Sequence, residues 1–350
     1  MGQKLSMSAT WIAIGGIGSL ISAWVAPERF FPNYLVAFLY WLGISLGALG
    51  IIILGDLTGG RWKKALRLPL EAAARCLTIL PVVALPVVVG AHFVYPWVGA
   101  SDLLGSPRDS YFDNSFVLLR ASAYFLLWSV LSVRLTEGRE RPSARAGFTG
   151  GAALLLFLSA TFAAIDWEMS LQPDWHSTAF GAIFVVGNML GGIAFAIAMV
   201  LGREEIRLSG ELVSDLSKLM FVFVVGWIYV SFGQYVVIWT SNTVEGIAYY
   251  LPRTETNWQW FSLALLTFYF ILPTLVLLTK RKSVRWLATL AIMLLVARYI
   301  DVAWTVLPGV FPDGPSVSFA SFFSLLFVSG LWLMLYGHNR RGLMGESTYG

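Results

Sequence analysis

Runs of about 20 apolar residues recur along this chain, and each is long enough to cross ~30 Å of hydrocarbon as a helix. "YLVAFLYWLGISLGALGIIIL", residues 34 to 54, is one of them. A backbone in lipid must satisfy its own hydrogen bonds, which leaves helices or closed barrels. A barrel would show ~10-residue alternating segments, and none is present. The reading is an all-α polytopic membrane protein with about ten transmembrane helices, at roughly 9–25, 33–55, 71–93, 115–134, 147–165, 178–201, 218–240, 258–279, 285–307 and 316–336. Composition agrees: charged residues make up 13% and the mean hydropathy is +0.71, whereas a soluble domain carries about 25% charge.

Basic residues orient the spans. With the N-terminus in the cytoplasm, 19 of the 24 Lys and Arg fall on inner segments, leaving Arg29, Arg108, Arg120, Arg253 and Arg298 outside. This is the positive-inside pattern, and it puts both termini in the cytoplasm. Basic loops facing an anionic leaflet account for the pI near 9.2, with no nucleic-acid partner. The first apolar run is long for a signal peptide and is read as an uncleaved span. The single cysteine, Cys76, allows no internal disulfide and no Cys-ligated cluster; its aliphatic surroundings suggest a buried thiol.

Other chemistry is thinly represented. "LTGGRW" has paired glycines without the strand or the Lys-Ser/Thr of a phosphate loop. Haem calls for axial ligands on facing helices. The three histidines, His92, His176 and His338, all fall near span ends or in loops. Neither a metal nor a bound cofactor is therefore expected on this chain. Any electron transfer would use cofactors on partner chains or a dissociable carrier such as a quinone.

Ionisable side chains inside the spans cost at least ~2.5–3.5 kcal/mol each on insertion scales, so each needs a partner or a purpose. An outer group comprises Arg120, Arg298 and Asp301, with His92 and Asp166 nearby. Arg298 and Asp301 are three apart and share a helical face. They could bind a polar head group or relay protons, or they could form a self-neutralising pair that fixes packing. An inner group comprises Asp56 with Glu71 and Arg75, the last two at i, i+4. It reads either as an interfacial pair snorkelling to head groups or as the mouth of a proton route. Asn188, Gln234, Tyr229, Tyr235, Tyr269 and Tyr299 read as polar glue between helices. All the charges are expected near the two faces rather than at the midplane.

One stretch breaks the apolar pattern: "IDWEMSLQPDWHSTAFGA", residues 165 to 182, gathers Asp166, Glu168, Asp174 and His176 with two indoles. It also carries a resemblance. "DWEMSLQPDWHSTAFG", "FGQYVVIWTSN", "YYLPRTETNWQW", "KRKSVRWLATLAIMLLVARYIDVAWTVLP" and "LTGGRWKKALRLPLEAAARCLTILP" together resemble the ActF-type membrane subunit of alternative complex III, a quinol:cytochrome c oxidoreductase of the NrfD-like superfamily. The likeness runs from about residue 54 to 308. Here Asp174 precedes Trp175 and His176 follows it, and a single acid, Glu245, stands where the family pattern has a pair.

The resemblance implies two four-helix bundles, 33–165 and 178–307, flanked by spans 9–25 and 316–336. It implies a bacterial inner-membrane subunit without a redox cofactor of its own, supporting quinol oxidation and proton translocation. Its partners would be a related NrfD-like membrane subunit, an iron–sulfur subunit and multihaem and monohaem cytochrome c subunits, with lipids and a terminal oxidase alongside. Haems and iron–sulfur clusters would sit on those partners. The acid-rich stretch would face them as a docking and proton-handling surface. Candidate quinol and proton residues are Asp166, Glu168, His176, Arg120, Arg298, Asp301 and His92 on the outer side. Asp56, Glu71 and Arg75 are the inner proton-path candidates.

Two competing readings stand beside this one. A secondary transporter would carry broken spans in matching halves with midplane charges, and Pro81, Pro86 and Pro273 are loose signs of that. A purely structural anchor would tolerate neutral substitution of all its charges.

Overall fold

A computed structural model describes residues 2–99, 110–136, 142–202, 209–279, 283–315 and 318–346. Among these residues the secondary structure is helical, without strand. Nine helices are long and apolar enough to cross a membrane, or ten if one bent pair counts as a single span. They are α1 (Gly2–Val25), α2 (Pro27–Thr58), the bent α3 (Arg61–Ala74 with its continuation), α4 (Asn114–Thr136), α5 (Pro142–Trp167), α6 (Phe180–Leu201), α7 (Gly210–Ser241), α8 (Gln259–Leu278), α9 (Val284–Val310) and α10 (Phe319–Glu346). Each matches one expected span. Several basic residues used for orientation (Arg108, Arg139, Arg141, Arg203, Arg207, Lys280, Arg281 and Lys282) lie outside the described residues, as does residue 316, where the last span was expected to start.

Local chemistry sets the ends and the breaks. Pro27 opens α2 at a position where its missing N–H costs nothing. Ser209 and Ser283 cap α7 and α9, their Oγ atoms accepting from Leu212 N at 3.2 Å and Trp286 N at 3.3 Å. α3 starts at Arg61, well before the expected residue 71, because its first turns are helical but amphipathic. Pro81 and Pro86 remove backbone donors, so α3 continues as a 3-10 turn and three short helical turns (Leu80–Val83, Leu85–Val89 and Ala91–Val94), with a 58° bend. In α8, a π-helical segment at Leu266–Ile271 precedes Pro273.

α2 is the hub. It packs against α3, α5, α6, α9 and α10, and every residue of its most apolar window is buried. Glycines bring α2 and α6 together: a Cβ on Gly47 would lie 1.8 Å from the Asn188 carbonyl oxygen, and one on Gly192 would lie 2.5 Å from Ala48 N. Helix backbones in lipid associate through such small residues. Two indole hydrogen bonds then clamp α10 to α2, Trp41 Nε1 to Ser329 Oγ and Trp332 Nε1 to Ser45 Oγ, both at 2.9 Å. α1 runs antiparallel to α10, with Gly15 against Phe327 and Gly330 against Ile12. The start of α1 and the end of α10 therefore share one end of the molecule. Arg61 pairs with Glu211 and Asp215 at that end, tying α3 to α7.

Candidate functional site

The "DWEMSL" turn closes α5, and it splits its two acids between two separate sites. Asp166 faces α4. Its carboxylate accepts from Arg120 Nε and Nη2, both at 3.0 Å, and from Tyr124 Oη at 2.9 Å. Arg120 also donates to the Tyr111 carbonyl at 2.9 Å and lies 4.0 Å from the Tyr111 ring centroid. A two-pronged guanidinium–carboxylate pair plus a phenol is among the stronger polar contacts a protein makes. Between the acids, Trp167 packs among Phe38, Tyr124, Phe125 and Trp128, with centroids 5.6–6.2 Å away.

Glu168 turns the other way, into electrostatic reach of Arg298 and Asp301 on α9. It is buried, and its Oε1 has no hydrogen-bond partner. Arg298 pairs with Asp301 and donates through Nη2 to Asn188 Oδ1 on α6 at 2.7 Å. Gly187 makes room for that guanidinium, since a Cβ there would lie 2.8 Å from Nη1. Trp227 Nε1 on α7 faces Asp301 without closing a hydrogen bond to it. The expected outer group is thus two groups, one on either side of Trp167.

Depth and exposure differ from the sequence expectation. Arg298 lies near the middle of the 27-residue α9 rather than toward a face, because the Asn188 acceptor and the Gly187 gap that receive it occur partway along α6. Asp166 and Glu168 are buried, so the acid-rich stretch is not an acidic surface; of its ionisable side chains only Asp174 and His176 are exposed. His176 borders a shallow cavity with Tyr111, Met169 and Trp175. His92 is exposed beside Phe93 and joins neither ion pair.

At the opposite end, Asp56 Oδ1 contacts Lys63 Nζ at 2.7 Å and Arg67 Nη1 at 3.4 Å, and Arg67 Nε reaches Glu71 Oε1 at 2.6 Å. Arg75 Nε donates to Thr136 Oγ1 on α4 at 2.9 Å. Arg67, one turn before Glu71, is thus one of its partners. These groups form an interhelical network among α2, α3 and α4.

A residue not singled out from the sequence stands out in the structure. Arg253, in the connection between α7 and α8, is 1% exposed. Its guanidinium donates to the carbonyls of Tyr249, Trp304 (3.2 Å) and Thr305 (2.9 Å), and it lies 3.6 Å from the Tyr249 ring centroid. Burial lowers its basicity and pushes the Tyr249 phenol up. Its only sequence signal was a lone arginine within "YYLPRTETNWQW". Arg253 and Asp301 border a cavity of about 220 Å³ between α7, α8 and α9, which opens past Phe232 and Leu266.

These features fit a multi-pass helical membrane protein that holds, among the described residues, the Arg120–Asp166 and Arg298–Asp301 ion pairs and a lateral cavity. No protein-family model matches the chain, and no curated protein matches it either.

Proposed function

We propose that this chain is an integral membrane subunit of a quinol-oxidising respiratory complex of the alternative complex III kind, in the bacterial cytoplasmic membrane, with no redox cofactor of its own. The observation that supports this most is the placement of Asp301: a carboxylate paired with Arg298, near Glu168, in the wall of a cavity that opens toward the lipid side. Quinol oxidation releases two protons for each pair of electrons. Burial favours the protonated form of a carboxylate and a neighbouring arginine favours the ionised form, so the two act in opposition on a proton held at this site. In this reading electrons leave through haems and iron–sulfur clusters on partner subunits, a related NrfD-like membrane subunit carries quinol oxidation, and this chain supplies scaffold and proton-handling groups. Asp301, Glu168 and Asp166 are the outer candidates; Asp56 and Glu71 are the inner ones.

The test is a mild-detergent pull-down of the tagged protein from its native membrane, followed by a haem-stained gel and mass spectrometry. Recovery with a multihaem cytochrome, an iron–sulfur protein and a second multi-span subunit supports the proposal. A haem-free protein that stays alone across several detergents overturns it.

Secondary transport is the alternative. The observation favouring it is an ion pair near mid-helix in a molecule where α3 and α8 are both interrupted. Solute uptake by vesicles containing the chain alone separates the two readings.

A further inference from the structure

The cavity beside Arg253 has a donor-rich wall, with Asp301 as the carboxylate among its lining residues. Three of the five guanidinium N–H groups go to backbone carbonyls, and among the described residues no carboxylate pairs with the group. Trp227 Nε1 and Ser231 Oγ also border the cavity and are buried; Ser231 Oγ has no hydrogen-bond partner, and Trp227 Nε1 faces the Asp301 carboxylate without closing a bond to it. Several other polar side chains of the wall are already committed. Asp301 is held by Arg298. Gln234 accepts from Ser177 at 2.7 Å and donates to Tyr250 at 3.3 Å, while Ser262 accepts from Trp304 Nε1 at 2.8 Å. A buried cation without a counter-charge, beside two orphaned polar groups, is costly when empty and favourable around an anion.

Size and access narrow the occupant. About 220 Å³ is below the ~300–1,000 Å³ of sites that enclose a drug-sized ligand. It suits a head group whose apolar remainder lies outside. The opening passes Phe232 and Leu266, which are 59% and 43% exposed on the outer surface of the helices.

We infer that this cavity binds the anionic head group, carboxylate or phosphate, of a membrane amphiphile, with Arg253 as counter-ion, Trp227 Nε1 and Ser231 Oγ as donors, and the acyl chain leaving between α7 and α8. This inference does not depend on the redox reading.

The test uses the full-length protein in a neutral detergent, with native mass spectrometry and tryptophan fluorescence as readouts. Four acyl probes are oleate against its neutral methyl ester, and phosphatidic acid against diacylglycerol; the fifth, decylubiquinone, is a neutral ring. One equivalent of oleate or phosphatidic acid should bind, and the neutral counterparts should not. Which anion binds identifies the head group. Arg253 also ties three carbonyls, so its replacement risks misfolding; Trp227→Phe with Ser231→Ala removes the two donors and leaves that anchor intact. The double variant should unfold at the wild-type temperature and bind the anion at least about tenfold more weakly, since donors to charged groups contribute strongly. Unchanged affinity in the double variant overturns the inference. So does equal binding of the neutral esters, or no binding of either anion. Binding of decylubiquinone alone would also overturn it, while leaving the proposed function standing.

Discussion

Arg298 and Asp301 offer the sharpest perturbation. Their side chains are only 6% and 5% exposed, and the arginine also donates to Asn188 Oδ1. Arg298→Met leaves Asp301 as a buried carboxylate without its partner, and Asp301→Leu leaves Arg298 as a buried cation. Breaking such a pair from one side costs about 3–5 kcal/mol. Removing both charges together is far milder. What remains is the loss of a donor to Asn188, whose Nδ2 already lacks a partner, at about 1–3 kcal/mol. The double variant should therefore be more stable than either single one, with a coupling energy of about 3 kcal/mol or more, at or above the top of the ~0.5–3 kcal/mol found for contacting residues. Unfolding midpoints in dodecyl maltoside, titrated with sodium dodecyl sulfate, measure all four corners of the cycle. Additive single effects, with coupling below about 0.5 kcal/mol, would refute the pairing. The same double variant separates packing from chemistry. If the pair only holds helices together, quinol-driven turnover of the assembled complex survives; if Asp301 handles protons, turnover falls while stability recovers.

Gly47→Val should open the α2–α6 contact, because even a Cβ would lie 1.8 Å from a backbone oxygen; a loss above about 3 kcal/mol is expected. Gly233→Ala, where nothing lies within 4 Å, should be neutral or stabilising by up to about 1 kcal/mol, and equal effects of the two would discredit the close approach. Tyr124→Phe removes one hydrogen bond to the buried Asp166 carboxylate and should cost about 1.5–3 kcal/mol in the same unfolding assay. Arg61→Gln breaks an exposed pair with Glu211, and no measurable change in the unfolding midpoint is expected.

Hydrocarbon thickness imposes a length that a sequence displays directly, so all ten spans were legible. Their ends were less so. α3 begins with "RWKKALRLPL", a helical, amphipathic stretch that hydropathy alone does not count. α10 likewise continues to Glu346 through Asn339, Arg340 and Arg341, past its apolar run. The Arg298–Asp301 pair was legible because three residues on a helix share a face. Arg120 and Asp166 are 46 residues apart, and no local rule couples them. Glu71 had Arg67 and Arg75 at the same four-residue spacing, so sequence geometry could not choose between them. Arg253 was overlooked for a related reason: its partners are backbone carbonyls, which every sequence has everywhere.

The burial of α2 bears on the order of events during synthesis. α2 precedes most of its partners along the chain: α6, α9 and α10, which help enclose it, are synthesised after it. Until then its outer face can be covered only by lipid or by insertion machinery, and Trp41 and Ser45 wait for Ser329 and Trp332 of α10. The seam along α2 therefore closes only when α10 arrives, and a nascent chain halted before residue 319 would carry that seam open along its own centre.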